Sequence, residues 1–186
     1  TQGYETGSNL AYQGNGFAQP AVASSTIGAG SYTIHQPQNV NDGQYGNGTS
    51  WIGNAASAWV KIDLGCVATV DGFTFGRDRT TPGYNDRDPG QIQFLVAIAD
   101  DVYANGDSAN DATEYSLAYD SGPGLAIAGP DTLAASFTPR PARYVKVLVA
   151  TNGAALDEIE VSGTGCGNAN GLSISGLADG TLISIT

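Results

Sequence analysis

The sequence predicts an all-β sandwich, and three observations carry that expectation. Apolar residues recur at every second position in short runs, which is the period of a strand with one wet face. The runs are separated by clusters of Gly, Pro, Asn and Asp, the residues of turns. No stretch carries a helical stripe. A chain of 186 residues has room for one domain, or one domain with an appendage, around a single core.

Taken in order, residues 1–31 are rich in Gly, Asn, Gln and Ser and read as an irregular lead-in with one or two short strands. The segment Trp59 to Gly65 sets Val60, Ile62 and Leu64 against Lys61 and Asp63 and is the clearest strand. Similar alternation follows at Phe73 and Phe75, at Ile92, Phe94, Val96 and Ile98, and at Leu133, Ala135 and Phe137. It returns at Val145, Val147 and Val149, and at Ile159 and Val161. Trp51 and Trp59 border such strands and are expected in the core. After Cys166 the chain changes character. Leu172 to Leu177 and Thr181 to Thr186 flank an Asp179-Gly180 turn, so a C-terminal β-hairpin appendage is expected over 167–186, beside a sandwich over 1–166.

Seven basic against eighteen acidic residues give a net charge of −11. That balance repels phosphate backbones and anionic lipid surfaces, so nucleic acid is a poor partner, while cations and neutral polyols suit it. The longest apolar runs, Phe94 to Ala99 and Tyr144 to Ala150, are strand-sized and far below the run of about 20 residues that a bilayer demands. No membrane insertion is expected. The chain begins at Thr1 and contains no Met, so the expected form is a processed, secreted product whose targeting segment is gone.

Two cysteines, Cys66 and Cys166, in a chain read as exported favour a bond between them over two separate buried thiols. Closing a loop of about 100 residues stabilises by roughly 4 to 5 kcal/mol in the chain-entropy model. His35 is the sole histidine, so no Cys and His cluster exists for zinc. A Ser and His catalytic arrangement would have to pass through that one residue, and no G-x-S-x-G signature appears. The expected protein is not an enzyme.

Several stretches in order resemble one family, the discoidin or coagulation-factor C-type domains with their bacterial carbohydrate-binding relatives. They run from Asn9-Leu10-Ala11 through Ala23-Ser24-Ser25, Asn39-Val40-Asn41-Asp42-Gly43 leading to Trp51, and Trp59 to Gly65. Gly76-Arg77-Asp78, Ala142 to Val147 and Asp157 to Gly163 complete the set. The resemblance implies a discoidin-like jelly-roll β-sandwich, galactose-binding-domain-like, of about eight strands, used for adhesion or glycan targeting. Two features depart from the pattern: the family's cysteines usually join the domain's ends, whereas Cys66 lies in mid-chain, and the hairpin after Cys166 falls outside it.

A hard cation takes about six to eight oxygens, and a Gly-rich turn lets carbonyls converge on it. The loop Asn39 to Trp51 supplies such atoms. In the carbohydrate-binding relatives a structural calcium sits between the loop after Asp-Gly and the acidic residue opening the last strand. Carried onto this sequence, that implies Asp42, Gln44, Thr49 and Glu158, with backbone carbonyls near Asn39 and Asp157. The alternative is a metal-free loop capped by its own turn bonds. The loop also holds Asn47-Gly48-Thr49, a glycosylation acceptor pattern that competes for the same atoms. A second acidic stretch, Asp100 to Glu114, gathers Asp100, Asp101, Asp107, Asp111 and Glu114. It is either a cation site or a solvated loop, and its spacing matches no loop motif.

Sugar binding asks for an aromatic face and for side chains that bond hydroxyls. His35, Arg77, Arg79, Tyr84, Asn85 and Arg87 fall in loops where the resemblance puts a His, an Arg and an Asn on galactose-like sugars. Equally open is a reading in which the arginines pair with Asp78, Asp86 or Asp88 to hold a long loop. Two functions are therefore expected to compete. One is a non-catalytic, extracellular, calcium-stabilised module for carbohydrate binding or adhesion. The other is a structural subunit that self-associates through its terminal strands into an extracellular filament or surface layer.

Overall fold

The computed structural model describes residues 9–28, 34–77, 86–101, 103, 111–127 and 132–165. Eight strands are present among them: β1 Val22–Ala23, β2 Trp51–Ile52, β3 Trp59–Gly76, β4 Ile92–Ala97, β5 Ser116–Asp120, β6 Thr132–Val149, β7 Ala155–Leu156 and β8 Glu158–Thr164. One helical turn, α1 Asp111–Glu114, precedes β5. All pairings are antiparallel, in the order β1-β3-β6-β4-β5 with β8 on β3, while β2 and β7 form a separate pair. The strand-like alternation is confirmed, with one exception: Ile98 lies beyond the end of β4 and is 56% exposed. The expected hairpin appendage over 167–186 lies outside the described residues.

Two strands of 18 residues each build both halves of the sandwich. Trp59–Asp63 of β3 lie between β1 and the Tyr144–Leu148 end of β6, whereas Thr69–Gly76 lie between β8 and the start of β6. The separate runs seen in the sequence are thus paired segments of the same two strands, joined across bends. At the first bend four residues, Leu64 to Val67, oppose only Arg143. Gly65 takes φ 79° there, and a Cβ on it would run into the Phe17 carbonyl oxygen, so only glycine fits. Asp63 Oδ1 accepts the Gly65 N–H at 2.8 Å, and Arg143 grips both Asp63 oxygens at 3.0 Å. At the second bend, between Val70 and Gly72, the partner strand carries Pro139 near the ladder break, where a missing N–H does no harm.

Val60, Ile62, Val70, Phe73, Phe94, Val145, Val147, Ile159 and Val161 meet in one core. Phe73 of the β8 half stacks on Phe94 of β4 with centroids 4.5 Å apart, and Phe94 leans on Phe137 at 5.7 Å. These residues are not ladder partners, so their rings join the two layers. Trp51 belongs to this core. Trp59 is also buried, at 4% exposure, but it alternates with Val60 and lies under a second cover on the other face of the sheet. That cover comprises Tyr103, Tyr115, Tyr144, Leu95 and Ala97.

Candidate functional site

The loop from Asp42 to Ser50 folds over the start of β8, and its own backbone donors do the folding. Asn39 Nδ2 donates to the Ile34 and Ser50 carbonyls at 2.6 and 3.0 Å. Asp42 Oδ1 accepts the Gln44 N–H at 2.8 Å, and the Gln44 amide reaches Asp42 Oδ2 at 3.5 Å. Thr49 Oγ1 donates to the Gly46 carbonyl at 2.9 Å. Glu158 Oε2, at the start of β8, accepts the Gly43 N–H at 3.1 Å, and Asp157 Oδ2, just before it, accepts the Gly46 N–H at 3.3 Å. Asp42, Gln44 and Thr49 thus lie in the loop that Asp157 and Glu158 tie down, although the carboxylates of Asp42, Asp157 and Glu158 do not all lie within 4.8 Å of one another.

The site gathers buried acidic groups. Asp157 and Glu158 are buried at 1% and 0% exposure. Burial pushes the Asp42 carboxyl up to about 6, against the backbone hydrogen bond from Gln44 that favours its charged form. The donors are carboxylate, amide, hydroxyl and carbonyl oxygens, the set a hard divalent ion prefers. Arg77 supplies one positive charge, with Nε 4.0 Å from Asp157 Oδ1.

Arg77 is 2% exposed, and its Nη1 donates to the Asp86 and Arg87 carbonyls at 2.9 Å each. It anchors the backbone at Asp86 and Arg87, through carbonyls and not through the Asp78, Asp86 or Asp88 carboxylates weighed in the sequence. Arg87, in contrast, is exposed, sits at φ 67° and bonds the Gly153 carbonyl at 3.2 Å. Its charge is felt at His35. Burial is the main cause holding that imidazole below its ordinary range; a hydrogen bond at Ser50 opposes the shift, and Arg87 adds to it. Arg79, Tyr84 and Asn85 lie outside the described residues.

His35 Nδ1 lies 3.0 Å from Ser50 Oγ, a pair that invites comparison with a nucleophile and base. Ser50 instead donates to the Asn47 carbonyl at 3.2 Å and is 2% exposed. The pair braces the loop.

Sequence reasoning missed two buried asparagines. Asn9 Oδ1 accepts the Ala11 and Val161 N–H groups at 2.9 Å, its Nδ2 reaches Glu158 at 3.5 Å, and Leu10 N–H bonds the Val161 carbonyl at 2.9 Å. Asn41 bonds Ala11, Gln19 and Ala21. Their signal was present, since an Asn inside a recurring motif is a turn-maker or an anchor. In the second acidic stretch, Asp100, Asp101 and Glu114 bring carboxylate oxygens within 4.8 Å of one another. Asp107, and the side chain of Asp111, lie outside the described residues.

No protein-family model and no curated protein matches the sequence. Solved structures do match. Chitosan-binding module 1 from a chitosanase/glucanase of Paenibacillus sp. IK-5 superposes with a TM-score of 0.58 at 22% identity, over 83% of this chain and 98% of that one. A family 32 carbohydrate-binding module of Clostridium perfringens, solved with galactose, gives 0.58 at 17%, over 83% and 97%. A fucose-binding module of Streptococcus pneumoniae gives 0.53 at 19%, over 87% and 99%. The chain has the discoidin-type, galactose-binding-like jelly-roll fold that these structures share.

Proposed function

We propose that the protein is a non-catalytic, extracellular carbohydrate-binding module stabilised by calcium. The observation that carries the reading is the exposed Arg87, fixed by its bond to the Gly153 carbonyl, whose positive charge bears on the buried His35. A guanidinium held there can bond vicinal hydroxyls of a neutral sugar. The fold's occurrence in modules whose structures name galactose, fucose and chitosan as ligands supports the same reading.

Calcium would be taken by Asp42, Gln44, Thr49 and Glu158 with carbonyls near Asn39 and Asp157, where it would offset the carboxylate charge that burial penalises. A disulfide between Cys66 and Cys166 is supported by register. β3 and β8 pair Thr69 with Thr164, each two or three residues in sequence from one of the two cysteines.

A glycan array probed with the intact chain in calcium should return hits among galactose-, fucose- or glucosamine-type sugars. Arg87→Ala should weaken them about tenfold to a hundredfold, the worth of a charge-assisted hydrogen bond. An array silent above background overturns the reading.

A second reading, a subunit that assembles by strand addition, is supported by β5. Among the described residues this strand is paired on one side only, by β4, and Leu117 on it is 46% exposed.

A further inference from the structure

The chain's two lysines, Lys61 and Lys146, face each other across β3 and β6. Both are buried, at 0% and 6% exposure. They share an aromatic box: Lys61 Nζ stands 4.9 Å from the Trp59 ring and 5.3 Å from that of Tyr115, and Lys146 Nζ stands 4.8 and 5.5 Å from the same rings. Into this box the segment after β4 inserts Asp100. Its Oδ2 lies 2.9 Å from Lys61 Nζ, with both side chains at 0% exposure, and accepts the Tyr115 hydroxyl at 2.7 Å. A carboxylate oxygen of Glu114 lies within 4.8 Å of one on Asp100, and Glu114 Oε2 is buried.

We propose that Lys61 and Asp100 condense to an intramolecular isopeptide bond, with Glu114 carrying the proton. One proton transfer across the 2.9 Å contact converts the pair into amine and acid, the forms that condense. Amine and acid are the two partners of amide formation, and the fold holds them at contact distance, which replaces a bimolecular encounter by an intramolecular one. Lys61 Nζ adds to Asp100 Cγ. The charge that develops on Oδ2 is met by the Tyr115 O–H. Glu114 accepts a proton from the nitrogen and delivers it to Oδ1, the Cγ–Oδ1 bond breaks, and one water leaves. The electron count is unchanged and Glu114 ends as it began. Glu114 also lines a groove of about 430 Å³ with Val96 to Ala99, Ser116 and Arg140, which gives the water an exit. The product is a neutral amide where a buried ion pair stood. It ties β3 to the chain after β4, across the intervening β6.

The test is the intact mass of the denatured, reduced chain. Its mass should fall short of the sequence mass by one water, and a protease digest should yield a branched peptide joining Lys61 to Asp100. Lys61→Arg and Asp100→Ala should each restore the full mass, and Lys146→Arg should not. Glu114→Gln should slow the loss of water by about 100-fold, the usual worth of a positioned proton carrier. A full sequence mass for the unmutated chain overturns the proposal without recourse to any variant. So does a missing water that maps to an aspartyl imide or to a branch at Lys146.

Discussion

His35 shows how one buried side chain can report on a whole rim. Its imidazole is held below its ordinary range chiefly by burial, so the folded protein favours the neutral ring. The unfolded chain binds the proton near pH 6.5, and the folded chain binds it at lower pH. The stabilisation is therefore complete above about pH 6.5 and is lost as pH falls through the lowered folded value. Asp42, raised to about 6, acts in the opposite sense over this interval, so His35 is read from a difference: the denaturant midpoint of the unmutated chain relative to His35→Gln should fall between pH 7 and pH 5. A difference that does not change with pH would place the titration elsewhere. If the rim binds sugar through the neutral ring, affinity should fall over the same interval. Arg87 is the neighbour that sharpens this behaviour, since its positive charge opposes a second one on His35.

At the scale of elements, the alternation of Val60, Ile62 and Leu64, and of Ile92, Phe94 and Val96, made the strands legible, because one face of each meets the core. The bends did not announce themselves. Gly65 to Val67 and Pro139 to Pro141 look like strand ends, yet the ladder resumes beyond each of them. Lys61 and Trp59 read as an outward and a core residue. Both are buried on the face opposite the core, by tyrosines more than 40 residues away in sequence, and no local pattern encodes that cover. The loop from Asp42 to Thr49 and its ties to Asp157 and Glu158 were legible because they are local to one turn-rich stretch and the start of β8. Arg77 was ambiguous because only its burial separates a loop brace from a sugar ligand. The exposed edge of β5 leads to a measurement at this scale. If strand addition builds an assembly, the intact chain should sediment as oligomers or polymers in calcium, and deletion of residues 172–186 should leave monomer with sugar binding unchanged. A strictly monomeric intact chain would remove assembly from consideration.

For the molecule as a whole, calcium should behave as a ligand of the folded state alone. At a concentration about 100 times its dissociation constant it should add about 2.7 kcal/mol to stability. For a domain of this size that raises the melting temperature by about 5 to 10 °C. Asp42→Ala should abolish the difference between calcium and chelator while the chelated protein stays folded. Equal melting curves for the unmutated chain in the two buffers would leave the loop closed by its own hydrogen bonds, as Thr49 to Gly46 and Asp42 to Gln44 already permit.

Asn9 and Leu10 lie zipped to Val161, four residues before the described chain ends at Gly165. Entry and exit therefore share one margin of the sandwich. A pull applied between the two ends is borne first by that short zipper, in shear or in peel according to its direction, and reaches the stacked phenylalanines only after it parts. Hung from neighbours on both sides, the domain would act as a pendant beside the line of tension.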